Sequence, residues 1–251
     1  MRYPTGSRVV ICLMLLLVWN YHALDVAGSL VPLDNGLIAH WKMNDNTNSL
    51  VVVDTKGHNG TSIRNTDVLN TNGVINKAFT FNDSDYIYVP YSDVFDLQTL
   101  TLSVWAKIDG TTGYGCTDLM LISKMDDYQG YAITYRIFPD NIWKVAATSG
   151  NLWGSFGVGY TPVKGEWTLY TFTIDAAGNF KFFANGNLID SATAGAFTDS
   201  SGPVLIGKHY SQNWFLNGAL DDVRIYNRAI TPNEISAIYN NGVGTEVENL
   251  D

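Results

Sequence analysis

The chain is poor in cysteine, in glutamate and in positive charge. Of its 251 residues only Cys12 and Cys116 are cysteines, and the first lies in a segment that reads as removable. No intrachain disulfide can then form, so stability has to come from an apolar core, which a chain of this length can build. Lys and Arg number 15 against 24 Asp and Glu, for a formal net charge of −9. That balance disfavours nucleic acid and anionic membranes as partners, because each is recognised by a basic patch. Glutamate occurs only at positions 166, 234, 246 and 248. Glycosidases generally flank the scissile bond with two carboxylates, one of them with a raised pKa. Here Glu234 stands at a helix start, Glu246 and Glu248 near the C-terminus, and Glu166 in a turn, so a non-catalytic protein is expected. Asp126-Asp127 is an acidic pair, but neighbours in a strand point to opposite faces.

No long hydrophobic run is present either. The longest N-terminal one, Val9–Trp19, has eleven residues, short of the roughly 20 that a spanning helix needs. It follows Arg2 and Arg8 and precedes the small residues Val26-Ala27-Gly28, the order of a secretory signal peptide. Residues 1–28 are therefore expected to be removed, leaving a domain over 29–244 and an acidic tail over 245–251. Losing Arg2, Arg8 and Asp25 leaves 13 basic and 23 acidic residues, a net charge of −10. The reading is a secreted or cell-surface protein with no membrane span in the mature chain.

Aromatic residues and glycine are abundant: 14 Tyr, 11 Phe, 7 Trp and 23 Gly, the mixture of strands and tight turns. Alternation marks the strands. Leu37, Ala39, Trp41 and Met43 share one face, as do Phe79 and Phe81. Leu100, Leu102, Val104, Ala106 and Ile108 form another row, with Thr101, Ser103, Trp105 and Lys107 opposite. Further strands are predicted over 131–138, 143–148, 167–174, 180–184, 188–192, 204–207 and 220–226, with Asn185-Gly186 as a hairpin turn. One helix is predicted near the C-terminus. Thr231 and Glu234 fit a capping box around Pro232, and Ile235, Ile238 and Tyr239 form its apolar stripe. The fold class is all-β: a two-sheet antiparallel β-sandwich with one short C-terminal helix. Two N-glycosylation sequons are present, Asn59-Gly60-Thr61 and Asn82-Asp83-Ser84.

Five segments, in order, carry a resemblance. They are GLIAHWKMND with DTKGHNGT, then KAFTFNDSDYIYVP, LTLSVWAKID, GEWTLYTFTID with FANG, and NGALDDVRIYNRAI. Over residues 36–242 the chain resembles the LamG-like jelly-roll domains of the concanavalin A-like lectin/glucanase superfamily. In the second segment Asn82 stands where the family commonly has glycine. The Glu–x–Asp–x–x–Glu strand motif of the related glucanases is absent. The resemblance implies a jelly roll whose first and last strands pair antiparallel; it says little about activity, since sites are grafted onto folds.

Two sets of residues are candidates for a site. Strand parity places Asp221 with Val223 and Ile225, and Asp45 with Trp41 and Met43. If the terminal strands pair, Asp45 and Asp221 meet at one rim, with Asp54 and Asn59 in the next loop. Either a calcium ion held by Asp45, Asp54 and Asp221 relieves their repulsion, or each carboxylate caps backbone N–H groups. The second set is aromatic: Tyr128, Trp143, Trp153, Tyr210 and Trp214 lie in or beside Gly-, Asn- and Ser-rich segments, with Asn213 adjacent. Aromatic faces stack on sugar C–H faces while amides bond hydroxyls. The expected function is non-catalytic glycan recognition. A structural or adhesive protein that contacts other extracellular proteins is the alternative, and a glycoside hydrolase or lyase the third.

Overall fold

A computed structural model describes residues 32–82, 84–110, 118–126, 129–136, 142–148, 160–193, 199–211 and 213–245; for residues 126 and 142–148 it describes the backbone alone. The signal segment, most of the acidic tail and Cys116 lie outside the described residues. No helix among the described residues is long and apolar enough to cross a membrane.

In chain order the elements are β1 (Leu37–Trp41), β2 (Val51–Val52), β3 (Gly60–Ser62), α1 (Thr66–Leu69), β4 (Asn70–Asn72), β5 (Lys77–Phe81) and β6 (Ile87–Val89). Then come β7 (Leu100–Ile108), β8 (Asp118–Asp126), β9 (Gln129–Arg136), β10 (Ile142–Thr148), β11 (Trp167–Ile174), β12 (Asn179–Ala184) and β13 (Asn187–Thr193). The chain closes with β14 (Val204–Ile206), β15 (Gly218–Tyr226) and α2 (Pro232–Tyr239). One eight-stranded sheet runs β13-β12-β11-β7-β15-β5-β4, with β1 added alongside β15, and a seven-stranded sheet runs β10-β9-β8-β14-β6-β3-β2. The first strand pairs antiparallel with the last, as expected. Between the sheets lies one core, to which β7 contributes Leu100, Leu102, Val104, Ala106 and Ile108. The Asn185-Gly186 turn has positive φ at both residues, 50° and 77°, and joins β12 to β13 in a two-residue loop, as a type I′ turn requires.

Part of the opposite face of the eight-stranded sheet is covered by α2. Trp105, Leu169, Phe183 and Tyr226 form a second buried cluster with Ile235, Ala237 and Ile238 of α2. The capping box forms as predicted: Thr231 accepts from the Glu234 amide, and the Glu234 carboxylate accepts from the Thr231 amide. Tyr239 stacks on Trp105 with ring centroids 5.7 Å apart. This packing holds a helix of eight residues, which is too short to persist alone.

Strand β15 departs from the parity expected of it. Asp221 lies opposite Trp105 and Arg224 opposite Ser103, so one extra residue is accommodated between them. Asp222 takes a left-handed φ of 55° in this bulge, which aspartate tolerates better than most residues. Residues directly opposite in an antiparallel pair share a face. Asp221 therefore sits with Trp105 on the helix-covered face, while Leu220, Val223 and Ile225 enter the inter-sheet core. The expectation that Asp221 shares a side with Val223 and Ile225 is corrected by this bulge. β15 also changes neighbours there, pairing with β5 over 218–220 and with β1 over 223–226.

Candidate functional site: an aromatic hairpin on the seven-stranded sheet

Beyond β14 the chain makes a tight loop closed by a bridge between Lys208 and Phe215. The His209 amide donates to the Trp214 carbonyl at 2.9 Å, and the Ser211 amide donates to His209 Nδ1 at 3.2 Å. His209 is thereby wedged between two rings, with centroids 5.1 Å from Tyr210 and 4.7 Å from Trp214. Tyr210 and Trp214 are half-buried and rest on Met120, Met125 and Ala132 of β8 and β9, while Asn213 is exposed. Ala132, opposite Ser123, sits in this apolar patch, whereas Tyr131, Ile133 and Tyr135 enter the core. Burial lowers the His209 pKa to about 4. The ring is thus neutral at physiological pH, and with Nδ1 accepting, its proton is on Nε2. Lys208 places Nζ over Tyr86, 4.5 Å from the centroid, and over Phe215 at 5.4 Å. At the far end of the same face Arg136 pairs with Asp118 at 3.1 Å.

The hairpin brings Tyr210, Asn213 and Trp214 together. Trp143 lies in β10, in register with Tyr135, and only its backbone is described. Trp153 and Tyr128 fall outside the described residues. Tyr160, another aromatic of these segments, packs on the core instead, edge-on to Tyr170. The central role of His209 was not legible from spacing; its signal was a histidine between two aromatic residues in a short loop.

The three aspartates are not assembled into one ligand set. Asp45, half-buried, accepts from the Val53 amide at 3.2 Å, and burial raises its pKa. Asp54 accepts from the amides of His40 at 2.5 Å and His58 at 2.8 Å, and its own amide donates to Asn59 Oδ1. Asp221 accepts from Val74 and Ile75 at 2.8 and 2.9 Å. Burial, with Asp222 adding to it, raises its pKa to about 8. Among the described residues no group of three or more His, Cys, Asp or Glu is placed to hold a metal ion. Each carboxylate is turned to a different stretch of backbone, the arrangement of the capping alternative to a calcium ion. Asn59 likewise serves the loop.

Sequence reasoning passed over Asp222. It is buried between His40, whose Nε2 meets its Oδ1, and Arg224, whose Nη2 lies 2.5 Å from its Oδ2. Burial opposes the ionised form of Asp222, yet Arg224 and then His40 outweigh it and hold the pKa below the usual value. Burial also lowers the His40 pKa, against the opposing pull of Asp222. Arg224 further donates to the Thr245 carbonyl, tying the segment after α2 to the sheet.

Residues 81–236, more than half of the chain, match the Concanavalin A-like lectin/glucanases superfamily. The chain belongs to that superfamily. Among solved structures it is similar to domain 4 of AbnA, a GH43 extracellular arabinanase from Geobacillus stearothermophilus, in complex with arabinotriose. That match has 22% identity over 80% of this chain and 96% of the other, with a TM-score of 0.60. It is also similar to the binding domain of Paraclostridial Mosquitocidal Protein 1, at 18% identity and TM-score 0.65 over 83% of this chain and 53% of that one. A third is a botulinum neurotoxin type C structure whose cell entry depends on two ganglioside molecules, at 17% identity and TM-score 0.64, covering 85% and 53%. The chain thus spans about half of the two toxin structures it matches. No curated protein matches it by sequence. At these identities the structural neighbours establish the jelly-roll fold alone.

Proposed function

We propose that this is an exported, non-catalytic carbohydrate-binding module whose site is the outer face of the seven-stranded sheet at the 208–215 hairpin. The observation that carries the reading is the half-buried pair Tyr210 and Trp214, fixed by His209 and seated on Met120, Met125 and Ala132. Such rings offer flat apolar faces to sugar C–H groups, and the exposed Asn213 amide supplies a donor and an acceptor for hydroxyls. The neutrality of His209 suits an uncharged ligand. Neighbours of the same fold were solved with arabinotriose or described with gangliosides, which supports glycan as the ligand class.

The non-catalytic part rests on how the buried acids are used. Asp54 and Asp221 hold backbone amides; Asp85 pairs with Arg64, Asp118 with Arg136, Asp222 with Arg224, and Glu234 with Arg228. Each is committed to a cation or an N–H group, leaving it poorly placed to shuttle protons. Export rests on the N-terminal charged, apolar and small-residue order. Binding of the secreted protein and its Trp214→Ala variant to a glycan array tests the whole. Glycan capture by the parent, lost in the variant at an unchanged melting temperature, is the expected result. Equal capture by both would remove the hairpin from the site.

A further inference from the structure

Among the described residues the seven-stranded sheet ends at β2, an edge strand paired only with β3. Its surroundings are apolar and wet: Leu50 is 41% exposed, Val51 45% and Val53 50%, and Tyr88 two strands inward is 43% exposed. Val51, Thr61 and Tyr88 lie directly opposite one another across β2, β3 and β6 and so form one row on the outer face. The segment Leu50-Val51-Val52-Val53 carries no charge and no proline, two of the guards of a sheet edge against pairing with another chain.

Asn59-Gly60-Thr61 ends on that row. Asn59 and Thr61 are both exposed, and two-residue alternation puts them on the same side as Val51 and Tyr88. Asn59 Oδ1 accepts from the Asp54 amide at 2.9 Å, which fixes the side chain and leaves Nδ2 without a hydrogen bond among the described residues. The middle position is glycine because a Cβ there would fall 2.4 Å from Ile87 Cγ2, and the motif bars only proline at that place. Nδ2 therefore faces solvent from a loop whose geometry a substituent would not disturb.

We infer that Asn59 carries an N-linked glycan and that this glycan shields the apolar β2 edge. In the step, Asn59 Nδ2 attacks the anomeric carbon of a lipid-diphosphate-linked oligosaccharide in the secretory pathway. A C–N bond forms, the anomeric C–O bond breaks, the lipid diphosphate leaves and the amide loses one proton; nothing is oxidised or reduced. A hydrated branched sugar beside Val51 and Val53 keeps a second chain from packing on their exposed side chains, while their amides already donate to Ser49 Oγ and Asp45 Oδ2. The inference rests on export and is independent of the sugar site at Trp214.

The test is secretion of the full chain with its own N-terminus from cultured insect cells. Peptide-N-glycosidase release in 18O water is then followed by peptide mass mapping of both medium and membrane fractions. Labelled aspartate at position 59 is expected; its absence from both fractions overturns the inference. The Thr61→Ala variant removes the motif but keeps the Asn59 bond to Asp54. It is expected to lose the label and to give several-fold more oligomer than the parent at equal concentration by size exclusion, with glycan capture through Trp214 unchanged. Adding Val51→Lys is expected to restore the monomer. A monomeric Thr61→Ala variant would refute the shielding role, whatever the occupancy at Asn59.

Discussion

The two outer faces of the sandwich are used in opposite ways. On the eight-stranded sheet, α2 and the segment through Thr245 seal a charged group, His40, Asp222 and Arg224, into a place with almost no water. On the seven-stranded sheet the 208–215 hairpin presents half-buried aromatic rings and an exposed amide. The sequence advertises carboxylates at β15, yet Asp221 holds backbone amides and Asp222 pairs with Arg224, and the ligand face we propose is the ring-bearing loop instead. A buried ion pair is weak grounds for stability in itself, but breaking one leaves a lone charge out of water. Removing a half-exposed ring leaves only a shallower surface.

The contrast is broken most directly at Asp222. Asp222→Ala strands Arg224 and is expected to cost on the order of 3–5 kcal/mol of unfolding free energy, read by urea denaturation; a loss below about 1 kcal/mol would mean that Arg224 finds water instead. Asp221 sharpens it. Its folded pKa of about 8 stands above the ordinary 3.8, so its contribution is fully present below about pH 4 and is lost as pH rises through 8. Asp221→Asn keeps an oxygen for Val74 and Ile75 and removes that loss. The variant is therefore expected to gain on the parent steadily between pH 4 and 8 in thermal melts, and parallel profiles would contradict the assigned direction. On the same face Thr231→Ala removes the helix cap and is expected to cost about 1 kcal/mol. Trp214→Ala, on the other face, is expected to change stability by less than that while weakening glycan binding roughly tenfold, about 1.4 kcal/mol.

Much of the sandwich was legible because β7 and β11 alternate cleanly and because the Asn185-Gly186 turn and the Thr231 cap have strong local chemistry. β8 was not. Asp118–Asp126 bears a register shift between Met120 and Ile122. It also holds Lys124, buried and paired with Asp96 and Asp199, each at 2.9 Å. A lysine among apolar residues spoils the pattern that alternation relies on, and its partners come from distant loops. The bulge at Asp222 was hidden for a related reason: one left-handed residue reverses every later parity, and no local signal separates Asp222 from Asp221. His40 looked like an outward polar residue of an alternating strand, but it is fully buried against Asp222, a partner 182 residues away in sequence. At the site, Tyr210, Asn213 and Trp214 could be found from composition, whereas the ring of His209 between them needed the loop to be closed.

The smallest expected effect concerns chelation. Calcium bound at a hundred times its dissociation constant would add about 2.7 kcal/mol to unfolding, which for a domain of this size raises the melting temperature by roughly 5–10 °C. Asp45 is instead turned to Val53, Asp54 to His40 and His58, and Asp221 to Val74 and Ile75. Drawing them onto one ion would break these bonds, and each buried amide left unpaired costs about 1–3 kcal/mol. EDTA is therefore expected to move the melting temperature by less than about 1 °C. A drop several times larger, reversed by calcium and abolished in Asp45→Asn, would show that the rim reorganises around an ion after all. The carboxylates of β15 and its neighbours would then serve a ligand as the rings of the hairpin do, and the division between the two faces would fail.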